Sequence, residues 1–235
     1  MQEEQTKTRS VFHTRLDDSV LYEACFGYKE RRSNTIFYFV LMILFVFVVG
    51  FRFYWTENFG GVTVSGRSMY ATLYDKEQLL MKYVDGEDAR RGDIIVVYVG
   101  DYPEFKQIND TLPKDKQTKF LIKRLIAVEY DRVKCEDGQI YIQYEGKGEW
   151  VALHEPYARY TDRERYDFSE YELQKGEVFS LGDNRNDSVD SRYREENGSR
   201  LKDRLYKASD IKGVVPQWAV TNQKILEKIL FWNTK

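Results

Sequence analysis

A long apolar stretch lies near the start of the chain and separates two polar regions. Residues 33–51 carry no charge, and Arg52 and three aromatic residues follow them. The stretch reaches about 20 residues, the length that a helix needs to cross the hydrocarbon core of a bilayer. Arg52 can extend its charge to the interface, where aromatic rings are also common. We therefore predict a single transmembrane helix over residues 35–55.

Two other structures are compatible with such a stretch. One is a secretory signal peptide that is later removed, and the other is a buried core helix. The stretch is longer than the apolar part of a usual signal peptide, no Ala-x-Ala site follows it, and a segment of about 30 mostly polar residues precedes it. These features favour a permanent membrane span.

After residue 56 the pattern changes to short apolar runs separated by turn-forming residues. The runs lie at residues 62–64, 79–81, 94–99, 120–122, 125–128, 140–142, 178–181 and 213–215. β-Branched and aromatic residues are frequent in them, and Gly or Asp stands between them. This pattern is typical of short strands in a mainly antiparallel sheet system. We predict one mainly β domain over residues 56–220.

Four segments do not fit the strand pattern. Residues 101–119 are charged and contain proline, so we predict a long loop. Residues 145–175 are predicted to form a variable insertion or a small lobe. Residues 1–34 form either a weakly amphipathic helix on the inner leaflet or a solvated tail. Residues 221–235 repeat apolar pairs every four positions, which predicts an amphipathic helix that docks on the core or lies on the outer membrane face.

The charged residues are nearly balanced in sign. The chain has 36 Lys and Arg residues and 38 Asp and Glu residues, spread along the sequence. There is no extended basic field, so nucleic acid is not an expected partner. Lys29, Arg31 and Arg32 directly precede the apolar stretch, and this bias places residues 1–34 in the cytoplasm. We predict a single-pass protein of the cell membrane whose domain of residues 56–220 is extracytoplasmic.

The few cysteine and histidine residues argue against metal sites and disulfides. Cys25 and Cys135 would lie on opposite sides of the membrane, and so would His13 and His154. They therefore form neither a disulfide nor a zinc site. A calcium loop beginning at Asp183 is excluded because Arg185 stands at its third position, where Asp or Asn is needed, and the glycine of the sixth position is missing. No metal site is expected.

A hydroxyl and an amine are the candidates for catalytic chemistry. Ser68 follows a strand and a Gly-containing bend, where most serines only cap a turn. As a nucleophile it needs a base within hydrogen-bond reach and a donor for the oxyanion. Lys123 lies between the apolar runs 120–122 and 125–128, and burial can lower the pKa of a lysine from about 10.4 towards neutrality. Lys123 is therefore the candidate base, the alternative being a lysine that only reaches to solvent from a strand edge.

Residues 182–192 form a dense polar cluster. Their sequence is Gly-Asp-Asn-Arg-Asn-Asp-Ser-Val-Asp-Ser-Arg. The segment is too rich in turn formers to lie within one helix or strand, and its arginines are spaced to pair with carboxylates of the same segment and its neighbours. We therefore expect these side chains to be fixed in place.

These segments together resemble the bacterial type I signal peptidases, or leader peptidases. The matching motifs are Ser68-Met69-x-x-Thr72-Leu73 with Arg91-Gly92-Asp93, then Lys123-Arg124, then the whole of residues 182–192. Members of this family are membrane-bound serine proteases that remove signal peptides from exported preproteins. The resemblance covers residues 35–220 and is to the single-span Gram-positive type. It implies a transmembrane helix followed by an antiparallel β-sheet catalytic domain with a smaller β-rich insertion.

The resemblance also implies a role for each site residue. Ser68 would be the nucleophile, unprotonated Lys123 the general base, and Ser188 the residue that orients the Lys123 amine. The residues that would support the site are Arg124, Asp183, Asp190 and Arg192. The residues that would bind an extended substrate are Val62, Thr63, Val64, Phe120, Leu121 and Ile122. The backbone N–H of Ser68 would meet the oxyanion, because Gly66 supplies no side-chain hydroxyl.

The implied substrates are secretory preproteins, cut after small residues in an Ala-x-Ala pattern. The lipid bilayer and the export machinery are the other expected partners, and no cofactor is expected. Two departures from the family pattern change turns rather than reactive groups. Ala71 stands in place of a proline, and residues 127–131 replace a Gly-Leu-Pro-Gly-Asp sequence. A lowered or specialised activity is therefore open.

Two other functions remain as alternatives. The first is a non-catalytic membrane protein that keeps this fold, and the second is a soluble regulator of the self-cleaving repressor type, which also has a Ser-Lys site. Loss of Ser68 or Lys123 would mark the first, and both residues are present. The apolar span argues against the second. The sequence thus favours the protease.

Overall fold

One long helix opens the described chain. The computed structural model describes residues 18–160, 167–192, 195–196, 199–200 and 205–222. Helix α1 spans Asp18–Asn58, so it begins well before the predicted start of the membrane span. Of the predicted tail of residues 1–34, residues 18–34 belong to this helix, and residues 1–17 lie outside the described chain.

Helix α1 contains a candidate membrane span at Asn34–Asn58. This segment has a mean hydropathy of 2.5 and is long and apolar enough to cross a membrane, and none of it is buried against protein. A helix that is apolar on all sides belongs either in a protein core or in lipid. Since the side chains of this one are exposed, lipid is the environment that suits them. The prediction of one apolar N-terminal helix is confirmed.

The strands all lie in the second of two units, which are Met1–Tyr54 and Trp55–Lys235. In chain order the thirteen strands of the described chain are β1 (Phe59–Thr63), β2 (Gln78–Lys82), β3 (Ile94–Tyr98), β4 (Phe120–Ala127), β5 (Arg132–Glu136), β6 (Gln139–Gln143), β7 (Val151–Ala152), β8 (Phe168–Glu172), β9 (Glu177–Leu181), β10 (Glu195–Glu196), β11 (Ser199–Arg200), β12 (Tyr206–Lys207) and β13 (Ile211–Val215). Each of the predicted apolar runs overlaps one of them. The mainly β prediction is confirmed.

A seven-stranded antiparallel sheet forms the larger layer of the domain. Its strand order is β1-β2-β13-β3-β4-β9-β12. The central strand β3 is apolar throughout because both of its faces are covered. Ile94 and Val96 pack into one buried cluster, and Ile95 and Val97 pack into another. Each such side chain contributes about 1.5–3 kcal/mol when it is fully buried, so this strand holds the two clusters together.

A smaller four-stranded sheet follows in the order β7-β6-β5-β8. Strands β5 and β6 alternate between buried and partly exposed residues, so only one face of this sheet enters the core. The sequence patterns did not predict β5, because its buried Val133 and Cys135 are single apolar residues between charged ones. Similarly, β8 buries only Phe168 and Tyr171. The small sheet therefore begins before the predicted insertion of residues 145–175.

Two short α-helices complete the described domain, together with 3-10 turns at Gly86–Asp88, Lys114–Lys116, Tyr144–Gly146 and Ala208–Asp210. The predicted loop of residues 101–119 contains helix α2 (Pro103–Asn109), which begins with a proline at a position where the helix needs no N–H donor. The buried Asn109 then closes the rest of the segment, because its side chain bonds to both the N–H and the carbonyl of Thr118. Helix α3 spans Gln217–Thr221. The predicted amphipathic helix of residues 221–235 lies outside the described residues beyond position 222.

Candidate active site

Two neighbouring strands bring the candidate base next to the polar segment 182–192. Strands β4 and β9 are antiparallel, and Arg124 pairs with Leu181. Strand β9 ends at Leu181, so the polar segment, which begins with Gly182, leaves the sheet at the end of the pairing where Lys123 precedes Arg124. The sheet register alone therefore joins two motifs that lie far apart in the sequence.

The amine of Lys123 is buried against Ser68. Lys123 is 2% exposed, and its Nζ atom lies 2.8 Å from Ser68 Oγ and 3.1 Å from the carbonyl oxygen of Ile122. Burial lowers the pKa of Lys123 from 10.5 to about 8, although Asp190 and Asp183 act in the opposite direction. Part of the amine is thus unprotonated near neutral pH and able to accept a proton.

Ser68 lies in a turn that is anchored after the serine. Gly66 has a φ angle of +91°, a conformation that a residue with a side chain rarely adopts, and it lets the chain bend before the serine. Met69 and Leu73 are 1% and 0% exposed, and they fix the following residues in the core. Ser68 itself is half-buried. Its N–H donates to no partner within the described part of the chain.

Arg124 holds Asp183 on the other face of strand β4. Its Nε and Nη2 atoms donate to the two carboxylate oxygens at 2.8 and 2.6 Å, and its Nη1 atom donates to the carbonyl of Gly92 at 2.8 Å. The Thr72 hydroxyl donates to the same carboxylate at 2.5 Å. Asp183 therefore links the strand of the candidate base to the turn of the candidate nucleophile.

A second buried ion pair lies within the polar segment. Arg192 Nε and Nη2 each donate to Asp190 at 2.8 Å, and the N–H of Gly182 donates to the same carboxylate at 3.1 Å. Burial raises the pKa of Asp190, but the guanidinium and these hydrogen bonds outweigh it and hold the pKa below 3.8. Asp190 is therefore ionised, and it fixes the start and the end of the segment relative to each other.

Gly182 allows the segment to approach the nucleophile turn. A Cβ atom at this position would lie within 2.6 Å of Ser188 Cβ and 2.5 Å of the Ser68 carbonyl oxygen, so only glycine fits. Ser188 is 6% exposed, and its hydroxyl helps to hold the pKa of Asp190 low, while no hydrogen bond joins it to Lys123 among the described residues. Its orienting role towards Lys123 therefore stays a prediction.

The segment of residues 155–160 adds contacts that the sequence analysis missed. Arg185 forms a buried ion pair with Glu155, in which the two side chains are 1% and 5% exposed. The hydroxyl of Tyr160 also accepts a hydrogen bond from Arg185. The ring centre of Tyr157 lies 3.9 Å from the guanidinium carbon of Arg124. The segment has no periodic pattern of apolar residues. Its one glutamate and two tyrosines were therefore the only indication of these contacts in the sequence.

The predicted substrate-binding residues lie beside this site on open strand edges. Strand β1 is at the edge of the large sheet, so Val62 and Thr63 pair with a strand on one side only among the described strands. Strand β9 pairs with β4 from residue 124 onward, which leaves residues 120–122 without a partner on that side. The backbone N–H and carbonyl of Val64 bond to the neighbouring residues 76–77. In the sequence, the first open edge, residues 62–64, precedes Ser68, and the second, residues 120–122, follows it.

No group of three or more His, Cys, Asp or Glu side chains within the described ranges is arranged to hold a metal ion. The ionisable residues at the site pair with one another instead. The chemistry that this arrangement allows is proton transfer from the Ser68 hydroxyl to the Lys123 amine, followed by attack on an electrophile.

Comparison with known proteins finds a family that matches most of the chain. The family described as "Signal peptidase, peptidase S26" matches residues 33–225. The chain is 28% identical over 176 residues to signal peptidase I U of Bacillus subtilis (strain 168), which covers 70% of the chain and 80% of that protein. It is 27% identical over 201 residues to signal peptidase I P of Bacillus subtilis subsp. natto, which covers 80% of the chain and 91% of that protein.

Among solved structures, the chain is similar to a signal peptidase I from Enterococcus faecalis V583. The two are 24% identical, the match covers 55% of this chain and 97% of that chain, and the TM-score is 0.35.

Proposed function

The chain belongs to the signal peptidase family, peptidase S26, and from this premise we propose that it is a membrane-bound serine endopeptidase that removes signal peptides with Ser68 as nucleophile and Lys123 as general base. Membership of the family supports the removal of signal peptides by a serine protease. The observation that carries the proposed pair is the buried amine of Lys123, 2.8 Å from Ser68 Oγ.

Acylation begins with the neutral amine of Lys123. The Ser68 hydroxyl donates a hydrogen bond to Nζ, passes its proton to it, and attacks the carbonyl carbon of the substrate. The ammonium group formed on Lys123 then protonates the leaving amine, which departs as the mature protein. The signal peptide remains as an ester on Ser68.

The developing oxyanion needs a donor that is already in place. The N–H of Ser68 is free among the described residues, and we assign this role to it. In the second half of the reaction Lys123 accepts a proton from water, the water attacks the ester, and Ser68 recovers its proton as the signal peptide leaves. Arg124, Asp183, Asp190 and Arg192 keep these groups in place and take no part in proton transfer.

An extended substrate would add to the two open strand edges. Main-chain hydrogen bonds to residues 62–64 and 120–122 would hold it, and its alternate side chains would point towards the domain. Val62 and Ile122 are partly buried and pack on the apolar cluster that contains Met69. Such a shallow apolar wall suits small side chains at the first and third positions before the cut, as in an Ala-x-Ala pattern.

The membrane anchor places the enzyme where its substrates are. Signal peptidases of this family are membrane-anchored, and Asn34–Asn58 is the candidate span. We propose that residues 1–34 are cytoplasmic, since Lys29, Arg31 and Arg32 precede the span. The domain of residues 56–220 is then extracytoplasmic and meets lipid-inserted preproteins as the export machinery delivers them.

Cleavage of a preprotein tests this function directly. We expect the full-length chain in detergent to cut a secretory preprotein once, after an Ala-x-Ala sequence, and mass spectrometry of both fragments gives the cut position. A preprotein with lysine in place of both alanines serves as the matched control and should stay intact. Cleavage elsewhere, or none at all, would contradict the proposal.

The rate should rise with pH as Lys123 loses its proton. Since burial lowers the pKa of Lys123 to about 8, we expect kcat/KM to fall about tenfold per pH unit below this value and to level off above it. The measurement is kcat/KM for a peptide substrate from about pH 6 to about pH 10. A rate that still rises about tenfold per unit up to about pH 10 would show that the pKa of the base is not lowered, which would contradict its assignment to the buried amine.

A further inference from the structure

Asn184 contacts the peptide groups on both sides of Ser68. Its backbone N–H donates to the Ser68 carbonyl at 2.9 Å, and its side-chain Nδ2 donates to the Arg67 carbonyl at 3.1 Å. The second contact concerns the peptide group between Arg67 and Ser68. The Arg67 carbonyl and the Ser68 N–H belong to that one group.

A peptide group is planar and rigid, so its carbonyl and its N–H point in opposite directions. A donor that holds the carbonyl of Arg67 therefore also sets the direction of the Ser68 N–H. A hydrogen bond accepted by a carbonyl also polarises the whole group, which makes its N–H a stronger donor. Both effects act on the N–H that is proposed to meet the oxyanion.

Little else at this position fixes that peptide group. Gly66 and Arg67 are exposed, and Gly66 is the residue type with the greatest backbone freedom. The N–H of Gly66 donates to Asp75 at 2.8 Å, but within the described ranges the Arg67 carbonyl accepts, besides Asn184, only the N–H of Tyr70 at 3.1 Å, from within the same turn. Position 66 is a glycine, so no side-chain hydroxyl there donates a second hydrogen bond to the oxyanion. The orientation of one N–H is therefore unusually important here.

The residues on both sides of Asn184 are held by hydrogen bonds. The N–H of Arg159 donates to the Asp183 carbonyl at 2.8 Å, and the N–H of Arg185 donates to the Arg159 carbonyl at 3.0 Å. On the preceding residue, Arg124 binds the Asp183 carboxylate with two hydrogen bonds. The neighbours of Asn184 on both sides are thus fixed, and its amide is presented to the nucleophile turn from a rigid base.

We propose that Asn184 is a positioning residue for the oxyanion-binding N–H of Ser68 and acts on it through the Arg67 carbonyl. The inference rests on the proposed function, in which Ser68 is the nucleophile. Asn184 makes no hydrogen bond to the Lys123 amine among the described residues. It acts on the transition state by orienting and polarising one peptide group.

Replacing Asn184 by alanine tests the inference. Direct loss of an oxyanion donor costs about 10²–10³ in kcat, and loss of its orientation should cost less, so we expect kcat to fall about tenfold. KM and the pH midpoint should stay unchanged, because neither the strand edges nor Lys123 is altered. The affinity for a peptide aldehyde that ends in Ala-x-Ala, which forms a tetrahedral adduct with the serine, should fall by the same factor as kcat.

Two further variants make the comparison specific. Asn222→Ala removes a similar bond, from a side-chain amide to the Trp218 carbonyl at 2.9 Å, and should leave kcat unchanged. Asn184→Asp keeps the size of the side chain and removes the donor, so it should lose kcat as well. If Asn184→Ala does not fold, the Asp variant decides the question.

The results separate this inference from the function on which it rests. A wild-type chain that does not cleave the preprotein would overturn the proposed function. A cleaving wild type with Asn184 variants that keep kcat within twofold would overturn only the role of Asn184. A loss seen in KM or in the melting temperature, with aldehyde affinity unchanged, would also overturn it, because these are the marks of a merely structural role.

Discussion

Replacement of Lys123 by methionine is expected to lower the cleavage rate at least about a thousandfold while the domain stays folded. Methionine fills a similar apolar volume but cannot accept the Ser68 proton, and loss of a general base costs about 10²–10⁴ in rate even before the nucleophile is considered. Stability should not fall, because an apolar side chain suits this buried position better than an amine. Preprotein cleavage and thermal unfolding are measured on the same samples.

The matched control is Lys212→Met, which alters an exposed lysine on strand β13 and should leave cleavage unchanged. Ser68→Ala should be as inactive as Lys123→Met, and the double variant should be no worse than either, because the two groups act as a unit. A Lys123→Met chain that cleaves at a tenth of the normal rate or faster would refute the general-base role.

Replacement of Glu155 by glutamine is expected to lower the free energy of unfolding by about 3–5 kcal/mol. The side chains of Arg185 and Glu155 are 1% and 5% exposed, and removing one charge from such a pair leaves the other buried without compensation. The whole free energy of unfolding of a small domain is only about 5–15 kcal/mol, so much of the stability would be lost. Urea unfolding of the full chain in detergent measures the change.

An exposed pair on strand β5 provides the control for Glu155. Glu136 pairs with Lys134 on strand β5, and its side chain is 62% exposed. Glu136→Gln should therefore change the free energy of unfolding by less than about 1 kcal/mol. Equal losses of unfolding free energy in the two variants would show that burial does not determine how much the Glu155 pair contributes to stability.

Hydrophobic periodicity was sufficient to predict the main elements of the fold. The apolar stretch predicted the membrane-spanning part of α1, and the apolar runs predicted six of the seven strands of the large sheet, all but β12. It failed where burial depends on tertiary contacts. Strand β5 contributes only two buried residues to the core, and α2 begins at a proline that could equally belong to a loop. In such segments the local pattern does not differ from that of an exposed loop.

The candidate site was predictable to the extent that it lies in recognisable motifs. Ser68 and Lys123 came from the resemblance and from an amine in an apolar strand, and the structure brings them within hydrogen-bond distance. Their roles remain predictions until activity is measured. The contacts of Glu155 and Asn184 could not be derived, because they depend on where loops from two sheets meet. No spacing in a single sequence encodes such a meeting point.

The buried ion pairs have a consequence for the resting state of the enzyme. Three guanidiniums near the site, those of Arg124, Arg185 and Arg192, each face one carboxylate. The net charge of these six side chains is therefore zero. A protonated Lys123 would add one uncompensated positive charge to this interior. Burial of that charge favours the free amine, and loss of Arg192, whose guanidinium also lowers the pKa of Lys123, would leave Asp190 as a surplus anion that draws the proton back onto the amine.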